Sequence, residues 1–265
     1  MLLQILSDLH LETETFDPQP TPGAELLVLA GDIDSTWQGY ERFAGWPVPV
    51  LVVAGNHEFD QRELNEAWPA LRDHCARWGL QLLEQQEHLH RARDGRLIRF
   101  LGTVRWSDFD LFGPEQRPRA MKAAGYFQKV MQATRGGLVF DAQAVREEGL
   151  FCRAWLEQAL RGAGGEAAPE RADATVVITH FAPSARSADP RFGLQPGTAS
   201  FCNADDDLIG WADLWIHGHL HARHDYTVAR RGDTRSSSAR VVCQARGLAR
   251  KGEAQGHDPA ALIAI

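Results

Sequence analysis

No two of the four cysteines (Cys75, Cys152, Cys202 and Cys243) are close enough to form a CxxC pair. That spacing excludes a zinc knuckle and a dense disulfide framework, and it predicts buried thiols in a reducing compartment. No apolar run reaches membrane-spanning or signal length; Leu2 to Leu6 gives way at once to Ser7-Asp8, so a cytoplasmic protein is expected. Positive charge is not in excess either. With 28 Lys plus Arg against 35 Asp plus Glu, the formal charge is −7, which disfavours a protein that binds nucleic acid over its whole surface. There is no internal repeat. What remains, at 265 residues, 44% hydrophobic and 24% charged, is a chain able to bury a sizeable core.

The informative feature is a pattern of short apolar runs that stop at polar residues. Leu2 to Leu6 ends in Ser7-Asp8-Leu9-His10, and Glu25 to Ala30 ends in Gly31-Asp32-Ile33-Asp34. Val50 to Ala54 ends in Gly55-Asn56-His57-Glu58, Ala174 to Thr179 in His180, and Leu214 to His217 in Gly218-His219-Leu220-His221. Continuous apolar runs of this length predict buried strands, and groups at the carboxyl ends of strands in open α/β sheets gather at a common edge. The i, i+2 spacing of Asp8 and His10 puts both on one side of an extended chain.

Between these strands, a short helix is expected within Trp37 to Gly45. Another begins near Asp60, as N-cap with Glu63 as its capping-box partner, and carries the stripe Leu64, Ala67, Trp68, Leu71, Cys75 and Trp78 to Gly79. Leu80 to Leu83, Leu89 to Arg93 and Leu97 to Leu101 predict strands of a second sheet, with Asp94-Gly95 turning the last two. Helical stretches follow near Arg119 to Thr134 and Gln143 to Leu160. Gly162 to Pro169 reads as a surface loop, and Tyr226 to Ala229 with Val241 to Gln244 as closing strands around a charged turn.

One aspartate or histidine after a strand is ordinarily a turn residue or a satisfied polar group. Five such strand ends in one chain are a different matter. Carboxylates, an amide oxygen and imidazoles without thiolate suit two divalent transition ions such as Mn, Fe or Zn better than calcium.

In this order the motifs Asp8-Leu9-His10, Gly31-Asp32, Gly55-Asn56-His57-Glu58, His180 and Gly218-His219-Leu220-His221 resemble the calcineurin-like metallophosphoesterase family. The resemblance implies one α/β domain over residues 1–265, built of two stacked mixed β-sheets flanked by helices in the layer order α/β/β/α, with a cap-like insertion at about 102–150. It implies that Asp8, His10 and His221 hold one metal, that Asn56, His180 and His219 hold the other, and that Asp32 bridges them. His57 would serve the leaving oxygen as acid or charge stabiliser, while a metal-bridging hydroxide attacks phosphorus. Glu58 would steady a histidine, and Asp34 would act in the same way; His217 would pack away from His219.

Gly102 to Phe109 is similar to a Gly-x-x-x-Trp-Ser/Thr-Asp-Phe segment of a bacterial branch of that family, which makes Trp106, Asp108, Arg117, Arg119 and Lys122 candidates for substrate contact. Asp205, Asp206 and Asp207 read as a helix N-terminus. Gln244-Ala245-Arg246-Gly247 departs from the branch's Asn-Pro-Arg-Gly turn, yet leaves Arg246 able to approach a phosphate. The expected activity is dinuclear, metal-dependent hydrolysis of a small phosphomonoester or phosphodiester. A nuclease and a non-catalytic scaffold of the same fold are the competing expectations.

Overall fold

The computed structural model describes residues 1–162, 172–230 and 238–265. In chain order the first elements are β1 (Leu2–Leu6), β2 (Leu26–Ala30), β3 (Val50–Val53), α1 (Leu64–Arg77), β4 (Gln81–Leu82), β5 (Gln86–Arg91) and β6 (Leu97–Gly102). Then come α2 (Arg117–Ala123), α3 (Gly125–Met131), β7 (Thr134–Arg135), β8 (Leu138–Val139), α4 (Ala142–Arg161) and β9 (Ala174–Ile178). The last are α5 (Asp206–Ile209), β10 (Leu214–His217), β11 (His224–Ala229), β12 (Ser238–Cys243) and β13 (Leu262–Ala264).

Two mixed sheets result. One has the order β13-β1-β2-β3-β4, parallel except for β13; the other has the order β11-β12-β10-β9-β6-β5, parallel at its centre with antiparallel strands at both edges. Alternation along the strands explains the layering. Leu3, Ile5, Val28, Leu51 and Val53 from the first sheet share one apolar cluster with Phe100, Val176, Ile178, Ile216 and Val242 from the second. The intervening residues face outward: Leu27, Leu29 and Val52 pack on Leu64, Ala67 and Leu71 of α1, and Val177, Trp215 and Val241 on Leu156 and Leu160 of α4. The layers run α/β/β/α, as expected.

Several local expectations are corrected. Residues 81–82 join the first sheet beside β3, not the second, because their parallel pairing follows directly from the return of α1. Asp60 is not the N-cap of α1; Glu63 is, accepting from the Glu66 N–H, while Asp60 turns its carboxylate to His57. The segment expected as a cap contributes Trp106, Phe109, Ala120, Met131, Phe140 and Val145 to the same apolar cluster as β2, β3 and α1. The expected loop at 162–169 and the turn at 230–240 lie largely outside the described residues. The Asp94-Gly95 turn is as expected, with Gly95 at φ 87° and the Asp94 carboxylate accepting from the Arg96 N–H at 3.0 Å. No helix among the described residues is long and apolar enough to cross a membrane.

Candidate metal centre

The carboxyl ends of β1, β2, β3, β9 and β10 converge on one edge of the two sheets. There the ligating atoms of Asp8, His10 and His221 lie within 4.8 Å of one another, and so do those of Asp32, His180 and His219. Asn56 is buried beside them, following β3.

The backbone is bent to achieve this. Asp8, His10, Asp32, His219 and His221 all have φ between 48° and 74°, in the left-handed region that non-glycine residues rarely occupy and that collects at functional sites. The loops are pinned by buried acceptors. Glu58, fully buried, accepts from the N–H groups of Asp32 (3.0 Å), Ile33 (2.7 Å) and Gly55 (2.6 Å) and from the Tyr40 hydroxyl (3.1 Å). Asp8 accepts from the Ser7 hydroxyl (2.7 Å) and from the His219 N–H (2.9 Å). The expectation that Glu58 steadies a histidine is therefore corrected: it organises the backbone that presents Asp32. Asp34 likewise caps its own loop, through Thr36 and Gly39.

Proton positions then follow from the partners. His10 Nδ1 lies 3.2 Å from a Glu12 oxygen and His221 Nδ1 2.6 Å from a Glu253 oxygen. Carboxylates only accept, so both rings carry their proton on Nδ1 and turn Nε2 inward. The two Nε2 atoms face each other at 3.0 Å. His180 repeats the pattern: Nδ1 donates to the Ala30 carbonyl at 2.9 Å, and Nε2 stands 3.2 Å from Asp32 Oδ2 without a hydrogen bond. Asn56 Oδ1 is also buried with no partner among the described residues. Carboxylate oxygens, ring nitrogens and an amide oxygen gathered in this way are the donor set of a cation site. The residues fit divalent metals.

Residues 2–223 match the family model described as calcineurin-like phosphoesterase. The chain belongs to the calcineurin-like phosphoesterase family. It is therefore a metal-dependent phosphoesterase, and its two buried clusters are candidate metal sites of that family. The phosphopantetheinyl hydrolase of Mycobacterium tuberculosis shares the fold, with a TM-score of 0.69 at 17% identity over 96% of this chain and 92% of that one. Among curated protein sequences none matches the chain.

Within this calcineurin-like phosphoesterase, His57 stands at the edge of the centre, its ring 5.2 Å from that of His10 and its backbone N–H donating to Asp32 Oδ1 at 2.9 Å. Nδ1 donates to Asp60 at 2.8 Å, which directs Nε2 away from Asp60. Burial alone would lower the His57 pKa, but the Asp32 and Asp60 carboxylates outweigh it and raise it to about 10. His217 is buried and packed away from the centre, bonded to Ser187 Oγ at 2.9 Å; burial lowers its pKa to about 3.

The residues expected at the substrate are dispersed. Trp106 is 1% exposed and sits among Phe59, Phe140 and Phe181. Asp108 is engaged by the buried guanidinium of Arg105, which also bonds Asp205 twice and the carbonyls of Trp106 and Gly149. Asp205 is the N-cap residue of α5 with Asp206 and Asp207 in its first turn, as expected, but its carboxylate is also the partner of a buried cation. Arg117 pairs with Asp110 at 2.5 Å, and Arg119 is exposed. Arg246 is 8% exposed, bonded to Glu14 at 3.1 Å, in a turn whose Gly247 packs against His221.

Sequence reasoning missed Glu12, Asp60 and Glu253 as holders of His10, His57 and His221. Glu12 and Asp60 are near enough in sequence to be found. Glu253 lies 32 residues from His221 and left no local signal.

Proposed function

We propose that this chain hydrolyses a small phosphoester with two divalent ions, Mn, Fe or Zn, one held by Asp8, His10 and His221, the other by Asn56, His180 and His219, with Asp32 shared between them. The observation that carries the reading is the pair of opposed Nε2 atoms of His10 and His221, each ring fixed by a carboxylate behind it. When bound, the ions supply Lewis acidity, activating water and neutralising phosphoryl oxygens.

The chain's own residues do the rest. Glu58 holds the Asp32 loop rigid, Glu12 and Glu253 fix two imidazole orientations, and Asp60 aims His57 Nε2 at the leaving oxygen, to which it gives a proton or a hydrogen bond. Arg246 stays in the proposal as a phosphate contact. Trp106 and Asp108 shape the wall behind the centre, with residues 1–265 forming one domain and about 102–150 its cap-like insertion. The neighbour's substrate does not transfer at 17% identity, but a phosphopantetheinyl ester belongs in the assay panel.

The test joins metal analysis of the purified protein to rates on a chromogenic monoester, a chromogenic diester, a phosphopantetheinyl ester and single-stranded DNA. Two equivalents of metal with turnover of a small ester are expected. Preference for DNA with a KM that rises steeply with salt would make it a nuclease, and neither metal nor turnover with added Mn would make it a scaffold.

A further inference from the structure

Beside the metal centre lies a cavity of about 280 Å³ whose walls include Phe192, Phe201, Leu220, Thr198 and Asp189. It adjoins the centre through two of its lining residues, Leu220 and Phe201. Leu220 stands between His219 and His221, the Phe201 ring lies 4.8 Å from the His219 ring at an interplanar angle of 30°, and the carbonyl of Ser200 lies 3.2 Å from His219 Nε2.

One wall is rigid. The 3₁₀ turn Pro196–Ser200 is closed at its start by reciprocal bonding of Gln195 and Thr198, and the Ala182 N–H donates to the Phe201 carbonyl at 3.0 Å, so Phe201 is fixed relative to β9. The other wall is open. Phe192 is 67% exposed, a large apolar side chain left in water beside a cavity whose opposite wall, Phe201, lies against the His219 ring.

The cavity offers no unpaired charge. Asp189, the carboxylate among its walls, is held by Arg191 through Nε at 2.8 Å and Nη2 at 2.6 Å. Walls made of phenyl rings and a leucine, with polarity already satisfied, suit an apolar ring and discriminate against a charged or heavily hydroxylated group. Resting on the hydrolase reading above, we propose that this cavity binds an aromatic substituent of the phosphoester, with the phosphate at the metal clusters and the ring between Phe201 and Phe192.

The proposal is tested with two phosphonates that cannot be hydrolysed, 1-naphthylmethylphosphonate and methylphosphonate, titrated calorimetrically into the Mn-loaded wild type, Phe192→Ala and Phe192→Leu. In parallel, 1-naphthyl and ethyl esters are compared as substrates. The wild type is expected to bind the naphthyl compound at least about tenfold more tightly than the methyl one. Phe192→Ala should remove most of that difference without changing methylphosphonate affinity or thermal stability, and Phe192→Leu should keep part of it. Equal affinity for the two phosphonates in the wild type overturns the proposal, as does an equal loss for both in Phe192→Ala. A naphthyl preference without hydrolysis of any ester sinks the hydrolase reading and leaves the cavity's role standing. Hydrolysis of both esters at one KM does the reverse.

Discussion

Gly55 lies against Asp32 so closely that a methyl group on its Cα would stand 2.8 Å from Asp32 Cγ. The same relationship recurs across the centre: a methyl at Gly31 would stand 2.7 Å from His180 Cγ, and one at Gly218 would stand 2.6 Å from Asp8 Oδ2. Each glycine makes room for a ligand delivered by a different strand. Gly55→Ala should therefore displace Asp32 and loosen the site from within. Metal content by mass spectrometry and turnover should both drop, turnover by about 100-fold, since misplacement by an ångström costs on that order. Full metal occupancy and near-normal turnover in the variant would show that the crowding is absorbed elsewhere.

Glu253 and Glu12 stand behind the His221 and His10 rings, and each also accepts a backbone N–H, from Leu248 and Ser35 respectively. Glu253→Gln and Glu12→Gln keep the size of the side chain but weaken the acceptor behind His221 and His10. Metal affinity is expected to fall by roughly 10- to 100-fold in each, measured by competition with a chelator, while circular dichroism stays that of the wild type.

His57 and Asp60 should separate from the metal ligands in their effects. His57→Ala is expected to keep both equivalents of metal and to slow esters of poor leaving groups far more than those of good ones, by about 10²- to 10⁴-fold for the former. Asp60→Asn should do the same in milder form. Loss of metal from His57→Ala, or equal slowing of both ester classes, would contradict this division of roles.

The Arg105 network sets the rigidity of the wall behind the centre. Arg105 and Asp205 are both fully buried, and removing Asp205 leaves the interior guanidinium with the carboxylate of Asp108 but without its two bonds to Asp205. Asp205→Ala should lower unfolding stability by about 3–5 kcal/mol, read by chemical denaturation; a loss under about 1 kcal/mol would place the network among weakly coupled surface pairs.

Glu84 gives the fold a pH dependence away from the metal centre. Its carboxylate accepts from Thr103 Oγ1 and the Val104 N–H, both at 2.8 Å, and burial, opposed by those bonds, raises its pKa from 4.5 to about 7. Between those values the folded chain keeps a proton that the unfolded chain has released, so this contribution is largest at low pH and is lost as pH rises through about 7. Denaturation midpoints between pH 5 and 8 should fall with pH in the wild type, and the slope should flatten in Glu84→Gln.

The parts of the structure legible in the sequence were those written in local chemistry. The runs Leu2–Leu6, Leu26–Ala30, Val50–Val53, Ala174–Ile178 and Leu214–His217 declare themselves as strands because both faces of their sheets are covered, and the polar residues after them mark one edge. What stayed hidden depends on chain separated in sequence. Asp60 carries the signature of a helix cap, but its carboxylate goes to His57 instead. Asp108, expected at the substrate, and Asp205, expected at a helix N-terminus, give no sign of Arg105, the buried residue that joins them. Phe192 and Phe201 flank a cavity that no periodicity announces.

The left-handed backbone of Asp8, His10, Asp32, His219 and His221 has a bearing on how such a chain would age under relaxed selection. Each of these conformations disfavours the folded state by about 1–2 kcal/mol for a residue with a Cβ, whereas glycine accepts it without strain. A descendant with no further need of the reaction could replace these positions by glycine and become harder to melt. Histidine and aspartate at these positions, against the preference of the backbone, trade robustness for the side chains gathered at the centre.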